Sequence, residues 1–204
     1  MEHMRARQQR KKAGRPRSFD TGEALDRALE VFRSKGYEGA SLSDLTRAMG
    51  INRPSMYAAF GDKVSLFRKV LQRYRCWTDS FFDKALQAPT ARQVAERLLY
   101  AAADMQTSGT IRGCLITQGA LVCGDQAEPV RRELAMVRKT NEVAIRERLQ
   151  HARKEGDLPA NANPADLARY LTTVMQGISV LANGGATRSE LRRVAETALR
   201  AWPS

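Results

Sequence analysis

Arg53, Ser55 and Tyr57 stand at the start of a short helical pattern, Asn52-Arg-Pro-Ser-Met-Tyr-Ala-Ala-Phe60. A guanidinium is the side chain that pairs two-pronged with a guanine edge, while hydroxyl groups reach bases or phosphates. Ser41 and Lys63 flank the pattern and are candidates for phosphate contacts, Ser41 from a helix N-terminus. Pro54 falls in the first helical turn, where a missing N–H costs nothing. Upstream, Gly14-Arg15-Pro16-Arg17 is an extended basic segment suited to laying Arg15 and Arg17 in a narrow minor groove. The chemistry on offer is therefore that of reading duplex DNA. A solvated basic tail with only nonspecific phosphate attraction is the plainer reading of the arm.

Groups of this kind need a rigid mount. Ser41 with Asp44 three residues on has capping-box spacing, and Gly50 sits where a short helix needs a left-handed residue. Asn52 caps a second helix after a three-residue turn. Leu45, Ala48 and Met49 on the first, with Ile51, Met56 and Phe60 around the second, supply the faces that lock the pair. A preceding helix, capped by Asp20 with Glu23, places Leu25, Ala28, Leu29 and Phe32 on one face and ends at Gly36. Three helices between about 20 and 60 thus form a helix-turn-helix unit whose second helix presents Arg53, Ser55 and Tyr57.

Phe19-Asp20, Ala28-x-x-x-Phe32-x-x-x-Gly36-Tyr37, Ser41-x-x-Asp44-Leu45, Met49-Gly50-Ile51 and Met56-Tyr57-x-x-Phe60-x-x-Lys63-x-x-Leu66-Phe67 together closely resemble the N-terminal domain of TetR-type transcriptional regulators. The match spans about residues 15 to 75. The resemblance implies an all-helical homodimer, usually a repressor, whose C-terminal domain binds a small inducer. Ala59 departs from the pattern, because many members carry His before the Phe. Arg53 and Pro54 replace commoner small residues, so the operator sequence cannot be borrowed from relatives.

The organisation expected is all-α: a basic disordered arm over 1–18, a helix-turn-helix domain over 19–62, and a helical effector-binding and dimerisation domain over 63–204. Helices are predicted from Asp62 to about Leu86, from Thr90 through Met105, over about 111 to 123, from Pro129 to Gly156, from Asn163-Pro164 to Asn183, and from Thr187 onward. Small residues on the last two, Ala168, Gly177, Ala182, Ala195 and Ala198, mark a candidate four-helix dimer interface, or an intramolecular helical pair.

Trp77, Phe81, Met105, Cys114, Thr117, Gln118, Leu121, Tyr170 and Gln176, with Tyr100 and Met175, are the candidates to line an inducer cavity. At helical spacing such residues also serve as core. Arg112-Gly113-Cys114 sets a thiol beside a cation, a pairing that favours thiolate chemistry and so an oxidant switch; a small core residue is the plain alternative.

Composition narrows the class. The 204 residues carry 34 Lys and Arg against 22 Asp and Glu, a net of +12, of which half lies in residues 1–18. Three cysteines without paired spacing make no disulfide framework. With His3 and His151 the only histidines, and no phosphate-binding glycine loop, nothing points to an enzyme, a cofactor or a metal. No apolar run is long enough for a leader or membrane span, so the expected location is cytoplasmic, on the nucleoid. Partners expected are double-stranded operator DNA, a second copy of the chain and an unidentified inducer. An architectural, nonspecific DNA-binding protein would share the charge but not the capped reader helix.

Overall fold

The computed structural model describes residues 19–107, 112–121 and 127–203. Among these residues there are nine helices and no strand: α1 Thr21–Gly39, α2 Leu42–Met49, α3 Arg53–Phe60, α4 Lys63–Leu86, α5 Ala91–Met105, α6 Leu115–Leu121, α7 Glu128–Lys154, α8 Pro164–Asn183 and α9 Arg188–Arg200. The arm with Arg15 and Arg17, the Ser108-Gly109 break and Cys123 lie outside the described residues. No described helix is long and apolar enough to cross a membrane.

Most boundaries are set by local chemistry. Asp20, Asn52, Asp62, Thr90 and Asn163 each accept a backbone N–H from the first turn that follows, and Ser41 and Thr187 form full capping boxes with Asp44 and Glu190. These caps satisfy donors that helix geometry leaves orphaned. Two boundaries differ from the periodic pattern. In α1 the backbone leaves helical geometry at Gly36, with φ 70° and ψ 177°, and helical turns resume through Gly39. The helix expected from about 111 begins later, at Leu115, because Gly113 at φ 85° turns the chain just before it.

The helices bury two apolar clusters, and α4 runs through both. One joins α1–α3 to Leu66, Phe67, Val70, Leu71 and Tyr74 of α4, Leu115 and Ile116 of α6, and Val130, Leu134 and Val137 of α7. The other packs α5, α8 and α9 around Ile145 and Leu149 of α7, with Phe82, Ala85 and Leu86 of α4. Phe32, Tyr37 and Phe67 lock α1 onto α4, with ring centroids 5.1 to 6.1 Å apart.

The small residues of the last two helices take the intramolecular role. Ala168, Ala182, Ala195 and Ala198 are buried inside the protomer, where they let α5, α8 and α9 approach closely. Gly177 alone among them faces open space.

Polar groups staple the periphery. Arg73 grips Asp26 across α1 and α4, and Arg68 reaches Glu133 on α7 at 2.8 Å. Arg148 donates to the carbonyls of Leu86, Ala88 and Pro89, closing the end of α4. Arg192 and Arg188 of α9 both bind Asp104 of α5 at 2.6 Å and hold its carboxyl well below the ordinary 3.8. A carboxyl depressed in the folded state contributes stability that is present above its unfolded value and is lost as pH falls below about 4. Asp104→Asn is therefore expected to lower the melting temperature at pH 7 by no more than about 2–4 °C, since partly exposed pairs contribute about 1 kcal/mol or less. The same variant should lose less melting temperature than the parent between pH 5 and 3; parallel acid limbs would refute that origin.

Candidate nucleic-acid interface and cavity

The helix-turn-helix is built by three caps in succession. Ser41 Oγ accepts the Asp44 N–H at 3.0 Å and donates to Asp44 Oδ2 at 2.7 Å, while Lys35 Nζ lies 2.9 Å from the same oxygen. Lys35 and Ser41 together draw the Asp44 carboxyl down to about 2. At the other end of α2 the Gly50 N–H donates to the Arg47 and Thr46 carbonyls and the Ile51 N–H to Thr46, a Schellman closure that needs the left-handed φ of 68°. Asn52 then accepts the Ser55 N–H at 2.8 Å and starts α3.

Met56 and Phe60 pin α3 to the core, so its other face is left outward. Arg53, Pro54 and Tyr57 are exposed; Ser55 is half-buried. The Arg53 guanidinium donates to Ser43 Oγ on α2 at 2.8 Å, which holds it across the α2–α3 corner with other N–H groups unspent. Lys63 opens α4 with its ammonium 4.5 Å over the Tyr37 ring and 3.5 Å from the Glu38 carbonyl. Partial burial pulls its pKa below the ordinary 10.5. Ser41 is exposed beside them, so all the described candidates for DNA contact gather around α2, α3 and the start of α4.

Between α4, α5, α6, α7 and α8 lies a cavity of about 150 Å³. Phe81, Met105, Cys114, Thr117 and Gln176 line it, with Met175. The remaining candidates are placed elsewhere, for identifiable reasons. Tyr170 turns to the second core, where its hydroxyl donates to the Ala198 carbonyl at 2.9 Å. Gln118 is spent on the turn before α6, donating to the Arg112 carbonyl at 3.3 Å. Tyr100 packs on the second core beneath Arg192. Trp77 is 46% exposed and meets Phe81 edge to face at 5.5 Å, outside the lining. The side chain of Leu121 lies outside the described residues. Residues outside that candidate set also line the space, among them Tyr74, Thr78, Gln106, Arg138 and Asn141. Their signal is tertiary: each becomes a wall residue only when five helices converge.

The turn before α6 joins the cavity to both ends of the molecule. The Gly113 carbonyl accepts from Arg33 of α1 at 3.0 Å. The Cys114 N–H donates to the buried Ser179 hydroxyl of α8 at 2.8 Å, and Arg112 donates to the Gly185 and Ala186 carbonyls after α8, each at 3.0 Å. Glycine suits the middle position because its φ of 85° lies in the left-handed region that L side chains rarely adopt. The Cys114 thiol lies 3.4 Å from the Tyr74 hydroxyl of α4, whose pKa burial raises well above 10.0. Cys76 and Cys114 are both free thiols.

Comparison with known proteins places this architecture. The model of bacterial regulatory proteins of the tetR family matches residues 24–70, and that of the tetracyclin repressor-like C-terminal domain matches residues 91–201. The chain is similar to the HTH-type transcriptional repressor ComR of Escherichia coli (strain K12), 30% identical over 95% of this chain and 94% of that protein. It is also similar to the repressor BdcR of the same organism, 29% identical over 92% and 91%. Among solved structures, a cysteine mutant of the TetR family transcriptional regulator CifR, complexed with 26-bp double-strand operator DNA, superposes with a TM-score of 0.87 at 42% identity, over 93% of this chain and all of that one. Capped reader helix, two-core helical body and matches along both halves lead to one assignment: the chain belongs to the TetR family of DNA-binding transcriptional regulators.

Proposed function

We propose that the chain is a dimeric repressor that binds a pseudo-palindromic operator and is released from it by a small molecule held in the cavity. The observation that carries the reading is the outward N-terminal face of α3, with Arg53 and Tyr57 exposed on a helix fixed from behind by Met56 and Phe60. ComR and BdcR, the relatives cited above, are repressors, and the CifR cysteine mutant is complexed with operator DNA, which supports the same role here. Arg53 reads a guanine edge, Ser55 and Pro54 approach a base or phosphate, and Tyr57, Lys63 and Ser41 hold phosphates. Arg15 and Arg17 follow the minor groove.

The dimer face we assign to the outside of α8. Thr173, Gly177, Val180, Leu181 and Gly184 are exposed at spacings that share one helical stripe. Val180 and Leu181 are 49% and 48% exposed, a poor arrangement for an isolated surface. A two-fold dimer sets two reader helices about 34–36 Å apart, one helical turn of DNA.

Release runs through the turn before α6. An occupant that displaces Cys114 or Thr117 moves the Gly113 carbonyl that Arg33 holds, and with it α1 and the reader unit. Cys114 also gives the alternative switch by thiol oxidation a physical basis, because its sulfur borders the cavity beside Tyr74.

Selection of bound sequences from a random duplex pool at physiological salt is expected to yield a two-fold-symmetric motif. Strong, salt-dependent binding with no motif would instead fit an architectural DNA-coating protein. On the selected site, Arg53→Ala should lose about 1–3 kcal/mol and relax one base position, whereas Lys63→Ala weakens operator and scrambled DNA alike. Equal losses on both DNAs for Arg53→Ala would remove it from base reading. Leu181→Asp should convert the dimer to a monomer by light scattering and abolish tight operator binding; a dimer that survives the change moves the interface elsewhere. In a background with Cys76 and Cys123 changed to Ser, peroxide should dissociate operator only while Cys114 is present, if the thiol is the switch. Dissociation that persists in Cys114→Ser would end the thiol reading.

A further inference from the structure

The cavity wall carries information about its occupant. Two charged side chains reach it, and both are committed within the protein: Asp79 pairs with Arg75 at 3.1 Å, and Arg138 donates to the Ile116 carbonyl at 3.0 Å. The two are of opposite sign, so the wall carries no net charge that would select an anion or a cation, and an unpaired charge out of water is strongly disfavoured. The hydroxyls of Thr78 and Thr172 are likewise spent, on the carbonyls of Tyr74 and Ala168 in their own helices.

Four neutral groups are different. The Thr117 hydroxyl, on a residue 9% exposed, and the amides of Gln106, Asn141 and Gln176 line the space with no hydrogen-bond partner among the described residues. They come from α6, the end of α5, α7 and α8, so they surround the space rather than sharing one wall. The rest of the lining is apolar, with Phe81, Phe82, Leu98, Met105 and Met175. A cavity of about 150 Å³ is of the size that takes a single aromatic ring.

We propose that the ligand of this cavity is an uncharged molecule with a body of about one ring and at least one hydrogen-bonding oxygen or amide, which Thr117 and the surrounding amides engage. The inference rests on the inducer reading above and narrows it to a ligand class. Neutral polar groups facing an apolar space orient a ligand by hydrogen bonds without demanding a counter-charge.

Titration calorimetry on the full-length protein at pH 7 tests this with four probes of matched size: acetophenone, benzoate, benzylamine and toluene. Acetophenone should bind at least tenfold more tightly than benzoate or benzylamine. Thr117→Val should weaken acetophenone by roughly fivefold, the loss of one neutral hydrogen bond, and leave toluene unchanged; Ala102→Trp, which fills the space, should abolish both. Preference for benzoate or benzylamine overturns the ligand class while the inducer cavity stands, as does failure of all four probes to bind at millimolar concentration. Equal losses of acetophenone and toluene in Thr117→Val would show a collapsed wall in place of a lost hydrogen bond and equally overturn the class. Acetophenone binding undiminished in Ala102→Trp would remove the cavity as the site, and the inducer reading with it.

Discussion

Everything in this molecule depends on one helix being held in two hydrophobic cores. α4 spans 24 residues, about 36 Å at the usual helical rise. Its first half buries Leu66, Phe67, Val70, Leu71 and Tyr74 with the reader unit, and its last turns pack Phe82, Ala85 and Leu86 against α5, α8 and α9. A rod clamped at both ends transmits displacement instead of absorbing it. Asp26–Arg73 and Glu133–Arg68 grip its first half from opposite sides, one from α1 and one from α7. Exposed pairs such as these add little stability. Their value here is directional, because they resist rolling of the helix about its own axis.

The turn at Arg112-Gly113-Cys114 supplies a second, more delicate connection. It is tied to α1 by Gly113, to α8 by the Cys114 N–H, and to the α8–α9 turn by Arg112. Coupling between sites in proteins typically amounts to about 1–3 kcal/mol, and a single hydrogen bond contributes about 0.5–1.5 kcal/mol net. On the proposed inducer reading, loss or strain of one or two of these bonds is sufficient to release the operator. No refolding of the reader unit is required, which agrees with its rigid aromatic attachment through Phe32, Tyr37 and Phe67.

The readable parts of the sequence were those governed by neighbours along the chain. Ser41 with Asp44, Gly50, Asn52 and Asp62 fix helix ends through hydrogen bonds spanning at most five residues, so the reader unit emerged almost residue by residue. The cavity did not. Tyr170 and Gln118 carry the right chemistry for a wall, yet the Ala198 carbonyl and the Arg112 carbonyl claim them first, and neither contact follows from periodicity. The small residues of α8 and α9 teach the same lesson. Alanine marks close helix approach without naming the partner, and Ala168, Ala182, Ala195 and Ala198 met helices of their own chain. What α8 offers outward is the adjacent stripe through Gly177, Val180 and Leu181, visible only once the inward face has been filled.

On the proposed reading, the same economy governs the DNA face. Arg53 is already held by Ser43 across the corner of the two helices, so less rotamer freedom remains to be lost when it meets a base; a free arginine side chain gives up about 1.5–2 kcal/mol. Lys63 is treated differently. Its ammonium is partly buried over the Tyr37 ring and near the Glu38 carbonyl, away from bulk water on one side. A phosphate approaching that site meets a cation with an incomplete hydration shell and gains attraction at a reduced desolvation cost. Preorganised geometry serves discrimination between bases, whereas an under-hydrated charge strengthens binding to any duplex. Placing the first on α3 and the second at the head of α4 separates specificity from affinity, and it puts the affinity element on a helix that also contributes to the cavity wall.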